Sequence, residues 1–184
     1  TNATVDVVYN DGVSGAKKIR MLGLDGIYTQ ITQENFPLIR GLSSSYGLAF
    51  TPGPFVESIQ IIKGTGSVIN GFESFSGQIN IEYFKPDCDE SLYYNLYGSL
   101  EGKIENNLRL VKKNGKWKSN LFAHFSLHEK DIDNNDDGFL DMPHITNFNF
   151  LNRWKYENEN IGLQFYARGF IEERIGGTID NNSN

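Results

Sequence analysis

The sequence predicts a compact mixed α+β unit followed by antiparallel β-strands of the kind that build a transmembrane β-barrel. Three observations carry this expectation. Short apolar strands alternate with Gly-rich turns in the first part of the chain. Two-sided alternation of apolar and polar residues dominates the second part, in runs of about 10 residues, the length a barrel strand needs. The connectors of that second part are tight turns on one side and a long acidic loop on the other. Composition shifts near Lys85-Pro86-Asp87-Cys88-Asp89, dividing the chain into residues 1–85 and 86–184.

In the first part, strands are expected at Val5 to Tyr9, Ile27 to Ile31, Ser58 to Ile62 and Gln78 to Ile81. No helical periodicity lasts beyond two turns. In the second part, the run from Ser91 to Leu100 sets Leu92, Tyr94, Leu96 and Leu100 against Tyr93, Asn95, Tyr97 and Ser99. From Asn120 to His128, Leu121, Ala123, Phe125 and Leu127 oppose Asn120, His124, Ser126 and His128, with Phe122 the exception. From Asn147 to Tyr156, Phe148, Phe150, Trp154 and Tyr156 oppose Asn147, Asn149, Arg153 and Lys155. Between Ile161 and Gly169, Ile161, Leu163, Phe165 and Ala167 oppose Gln164, Tyr166 and Arg168.

Lys113-Asn114-Gly115-Lys116 reads as an Asn-Gly hairpin turn and Glu157-Asn158-Glu159-Asn160 as a second short turn, with the polar loop Lys130 to His144 between them. Trp117, Trp154 and Tyr156 stand beside the short turns, where an interfacial aromatic girdle would lie. A soluble β-sandwich also alternates with period two. Runs of about 10 residues, against about 5 to 6 in soluble sheets, favour the barrel.

Hydrophobic residues make up 39% and charged residues 22%, which sets the chain apart from disordered sequences. No run approaches the roughly 18 apolar residues of a spanning helix, and barrel strands require none. A net charge of −6 with no basic stripe argues against nucleic acid as a partner. The single cysteine, Cys88, allows no internal disulfide framework and reads as an incidental thiol in a connecting segment. Thr1 is not an initiator Met and no signal peptide is visible, so an export signal is expected upstream.

No catalytic constellation appears, and an enzyme is not expected. Gly64-x-Gly66 lacks the third glycine of a dinucleotide fingerprint, since Ile69 stands there. His124 and His128 share a strand face but lie ~13 Å apart, too far to hold one ion.

The stretch from Phe55 to Glu82 resembles the end of the plug domain of TonB-dependent outer-membrane receptors. A strand ends in a basic-Gly pair, a Ser-containing turn leads to a Gly step, and a Gly precedes an Ile-Asn-Ile strand. The matching positions are Ile59, Ile61, Lys63, Gly64, Ser67, Gly71, Gly77, Ile79, Asn80 and Ile81. Lys18 to Gly23 and Tyr28 to Pro37 look like earlier plug strands. The resemblance covers residues 1–85, in wording closer to receptors of Bacteroidetes-type bacteria; residues 91–184 match only in general barrel character. Gln60 stands where the family usually carries an acid, and Glu34-Asn35 where an Asp-Gly turn is expected. The glycines read equally as turn residues with no ligand contact.

The resemblance implies a 22-stranded barrel enclosing the plug, in the bacterial outer membrane and in contact with its lipid. It implies import of a scarce nutrient, whether siderophore, cobalamin, another metal chelate or oligosaccharide, driven by the TonB–ExbB–ExbD complex, with a surface lipoprotein as a further partner in some members. The N-terminal box that contacts TonB is not found in this chain. Loop position makes Glu34, Asn35, Phe36, Tyr46 and Phe50 the substrate-facing candidates, with Tyr46 and Phe50 best suited to stacking.

A separate pattern spans 133–141, where Asp133, Asn135, Asp137, Phe139 and Asp141 follow the first nine positions of a calcium-binding EF-hand loop around Gly138. The twelfth position is His144 in place of a bidentate Glu. The ordinary alternative is an acidic solvated loop. The rival functions are a soluble or surface-attached β-rich module stapled by calcium, and a surface adhesin or assembly subunit.

Overall fold

The computed structural model of the protein describes residues 4–11, 13–37, 50–66 and 74–179. The chain divides into two compact units, Thr1–Phe84 and Lys85–Asn184. Described residues of both are almost wholly β, with two short 3-10 turns and no α-helix among them.

The first unit begins with a hairpin of β1 (Val5–Asp11) and β2 (Ala16–Met21), antiparallel with a register shift between Tyr9 and Asp11. Ala16, Ile19 and Met21 on β2 are buried. A 3-10 turn at Gly26–Tyr28 follows, capped by the Asp25 carboxylate, which accepts from the Ile27 N–H at 3.3 Å. This cap delays β3 to Thr29–Gln33, two residues later than the apolar pattern predicted. The short strand β4 (Phe36–Pro37) turns back on it.

After a second 3-10 turn at Gly53–Phe55 come β5 (Val56–Lys63) and β6 (Gly77–Tyr83). The sheet order is β4-β3-β6-β5, with β3 parallel to β6 and the other pairs antiparallel. A parallel pair needs a crossover, and the segment between β3 and β6 supplies it. Strand β6 lies between two partners and is buried along almost its whole length. Ile79, Ile81 and Tyr83 fill one face, with Tyr83 packed edge-to-face on Phe55 at 6.1 Å. Gln78 and Asn80 fill the other and are equally buried.

The second unit is one antiparallel meander: β7 (Leu92–Gly98), β8 (Lys103–Asn114), β9 (Trp117–His128), β10 (His144–Glu157) and β11 (Gly162–Ile175). Strands of 12 to 14 residues rise about 40 to 48 Å. The turn between β8 and β9 lies one residue beyond the expected Asn-Gly: Asn114 pairs with Trp117, leaving Gly115 and Lys116 as the two central residues. Gly115 takes φ +57° and Lys116 does not, the type II′ pattern, which needs glycine first. At the β10–β11 turn, Asn158 Oδ1 accepts from the N–H groups of Asn160 and Ile161, at 3.0 and 2.8 Å. The opposite end carries a short link at 99–102 and the long loop at 129–143.

Candidate functional site

The two faces of the second unit's sheet are inverted relative to a soluble sheet. On β9, Asn120, Phe122, His124, Ser126 and His128 are buried while Leu121, Ala123, Phe125 and Leu127 face the more open side. The next strand repeats this: Asn147, Asn149, Leu151 and Arg153 are buried, and Phe148 and Phe150 are exposed. Register puts the exposed groups in continuous rows, with Phe125 opposite Phe148 and Phe148 opposite Ile171, which is 73% exposed. Phe122, the exception to the alternation, lies opposite Leu151 on the covered face, where both are buried.

Several polar groups on the covered face bond to one another, while the buried Asn149 Oδ1 and His128 Nε2 have no hydrogen-bond partner among the described residues. The Asn107 amide donates to Asn95 Oδ1 at 3.3 Å, and Asn107 Oδ1 lies 2.6 Å from His124 Nδ1. Asn147 donates to Glu172 at 2.6 Å, and Glu172 also accepts from Arg174 Nε at 2.6 Å. At the short-turn end of the open face, Trp117, Trp154, Tyr156 and Phe165 form one aromatic cluster. Trp154 stacks on Phe165 at 5.1 Å and Trp117 tilts against Tyr156 at 5.0 Å.

In the first unit the structure gathers some of the candidate residues. Glu34 and Asn35 take φ of +52° and +65° and form the two-residue turn between β3 and β4, with Gln33 opposite Phe36. Their polar groups are turned to β6: the Glu34 N–H donates to Ile81 O at 3.0 Å, and Glu34 Oε1 accepts from the Tyr83 N–H at 2.9 Å. Asn80 Oδ1 accepts from the Asn35 N–H at 2.9 Å and from Thr32 Oγ1 at 3.0 Å. The Asn80 amide donates to Glu82 Oε1 at 2.8 Å and, more weakly, to Gln60 Oε1 at 3.5 Å. Thr32 Oγ1 in turn accepts from Gln78 at 3.1 Å. Gln60, where an acid was expected, thus offers Asn80 a neutral carbonyl.

Phe36 is exposed, and Phe50 is half-buried in a turn. Tyr46, Ser67 and Gly71 lie outside the described residues. Lys63 ends β5, exposed, and the Gly64 N–H donates to Ser76 O at 3.0 Å. Gly77 sits where a Cβ would meet Met21 Sδ at 2.2 Å and the Ile62 carbonyl at 2.3 Å. No larger residue fits that contact.

The acidic loop is closed by its own hydrogen bonds. Asp133 accepts from the N–H groups of Asp137 and Gly138, at 3.2 and 2.9 Å. Asp137 accepts from the Phe139 N–H and from the Asn135 amide, both at 2.9 Å, and Asp141 accepts from Asn134. Among the described residues no group of three or more His, Cys, Asp or Glu side chains is placed to hold a metal ion.

The alternation pattern gave no hint of a charge cluster at the start of the second unit. Asp87 binds Lys118 through one carboxylate oxygen and Lys155 through the other, the latter at 2.9 Å. These bonds, Lys118 first, hold its carboxyl below the ordinary carboxylate range. Lysines at strand ends and acids in a connector were both visible in the sequence, but their partnership depends on register.

No protein-family model matches the chain, and no curated protein does. Solved structures do. The copper transporter OprC matches at a TM-score of 0.72 and 14% identity over 94% of this chain and 27% of its own length. The ferric enterobactin receptor PfeA matches at 0.65 and 14%, over 93% and 29%. The siderophore receptor PirA from Pseudomonas aeruginosa matches at 0.59 and 14%, over 94% and 36%. At such identities the likeness shows a shared fold, and this chain spans roughly a third of each of these proteins.

Proposed function

We propose that the chain is part of a TonB-dependent outer-membrane receptor that imports a scarce nutrient. Strands β7 to β11 are the first strands of its transmembrane barrel, expected to number 22, and the first unit is its plug. The observation that carries this is the inverted sheet. A face of Leu, Phe and Ile left open beside a face of bonded Asn, His and Arg suits lipid outside and a polar interior inside. The aromatic cluster at the short-turn end suits a headgroup boundary. A soluble module would leave that apolar face in water, where contiguous apolar patches mark an interaction surface.

The plug motif and the fold shared with OprC, PfeA and PirA support transport in preference to adhesion. Those neighbours are a copper transporter and receptors for ferric enterobactin and siderophores, which puts a siderophore or another metal chelate ahead of cobalamin or an oligosaccharide. Within the plug, Glu34, Asn35, Phe36, Tyr46 and Phe50 are the residues to meet cargo, with Glu34 and Asn35 also setting the turn between β3 and β4. TonB–ExbB–ExbD would supply energy, and a surface lipoprotein and Bacteroidetes-type origin belong to the same reading. Structural calcium at 133–141 is a separate proposal supported by donor spacing alone.

Cell fractionation tests the reading. The full-length protein should leave the outer membrane only in detergent and migrate differently on gels before and after boiling. Recovery in the aqueous fraction, with unchanged migration, would overturn it.

A further inference from the structure

We propose that the connector at residues 85–90 is a strap that neutralises a row of three lysines and fixes the point where the chain joins the sheet, with Asp87 as its positioning residue. The row is Lys113 on β8, Lys118 on β9 and Lys155 on β10, successive cross-strand partners in register. Like charges directly opposite one another repel and loosen a sheet. Every one of the three meets the connector. Asp87 bridges Lys118 and Lys155 through its two carboxylate oxygens. Lys113 donates to the Asp87 carbonyl at 3.1 Å and lies 3.8 Å from Asp89. Glu157 adds a further contact to Lys155 at 3.0 Å.

The strap is tied down on either side of Asp87. Pro86 is fully buried, and Glu90 pairs at 2.5 Å with Arg109, whose guanidinium also lies over the Tyr93 ring. β7 starts two residues after Glu90. On the receptor reading, on which this inference rests, a pull on the first unit reaches the strap before it reaches the β7–β8 ladder. The strap then holds the register of the first strand while the plug moves.

Cys88, half-buried beside Asp87, is a native reporter. Its maleimide labelling is measured in the full-length detergent-solubilised protein and located by peptide mapping. Asp87→Asn should speed labelling about fivefold, the worth of two partly exposed ion pairs. Lys118→Met with Lys155→Met should do the same, and all three changes together should add little more. Asp87→Lys combined with Lys118→Asp and Lys155→Asp should restore slow labelling. In the unmodified protein, 1 M salt should speed labelling by screening the pairs. Labelling unmoved by Asp87→Asn and by salt would overturn the strap, as would an exchanged variant as fast as Asp87→Asn. Gel migration before and after boiling, read on the same samples, reports the barrel separately, so the strap and the receptor reading can fail independently.

Discussion

Gly77 illustrates how much a single position decides. Its missing side chain lets β6 start against Met21 of β2 and the Ile62 carbonyl of β5, joining hairpin and sheet. Gly77→Ala should destabilise the first unit by about 1–3 kcal/mol through overpacking. Limited proteolysis of the full-length protein checks this, with Gly53→Ala as control because a Cβ there meets nothing within 4 Å. Equal protection of the two variants would remove the close-approach argument. That Gly77 mattered was legible from the plug-like motif; the reason, contact with Met21, was not, because 55 intervening positions are folded in between. Asn80 is similar. The motif marked it, and only the fold makes it the hub joining Thr32, Asn35 and Glu82. Glu34 and Asn35 were expected to face substrate from their loop position; the structure adds that their positive φ and bonds to β6 form the β3–β4 turn.

Strands and their connectors were legible in proportion to how local their causes are. Period-two alternation located β9 and β10 within a few residues, since each face is set by the run itself. Strand β3 was placed too early because Asp25 caps a turn that hydrophobicity does not register. The β8–β9 turn slipped by one residue because pairing of Asn114 with Trp117, a cross-strand matter, chose the central pair. The connector before β7 was opaque, because its acids meet lysines brought together only by register. There Asp87 makes a directional prediction. Its carboxyl is lowered below the ordinary value by Lys118 and Lys155. The strap therefore contributes stability in full above about pH 4, which is lost as pH falls through the lowered value. Carbon-detected NMR should find Asp87 titrating below its ordinary range, and returning to it with Lys118→Met and Lys155→Met. Ordinary titration in the native protein would contradict this.

At the scale of the molecule, the two units differ in where their apolar residues are gathered. The first packs Phe55 with Ile79, Ile81 and Tyr83 on one side of its central strand and buries the hydrogen-bonded Gln78 and Asn80 on the other. The second buries amides, histidines and an arginine while presenting aliphatic and aromatic rows outward. Under the proposed receptor reading, the second unit's arrangement suits a wall between lipid and a polar interior. Alternating spin labels along β10 in bilayers test this most directly, placed singly from 147 to 154 of the full-length reconstituted protein. The account predicts high oxygen accessibility at Phe148, Phe150, Asn152 and Trp154 and low accessibility at Asn147, Asn149, Leu151 and Arg153. A flat profile, or one in which the Phe positions meet an aqueous relaxation agent, would contradict it.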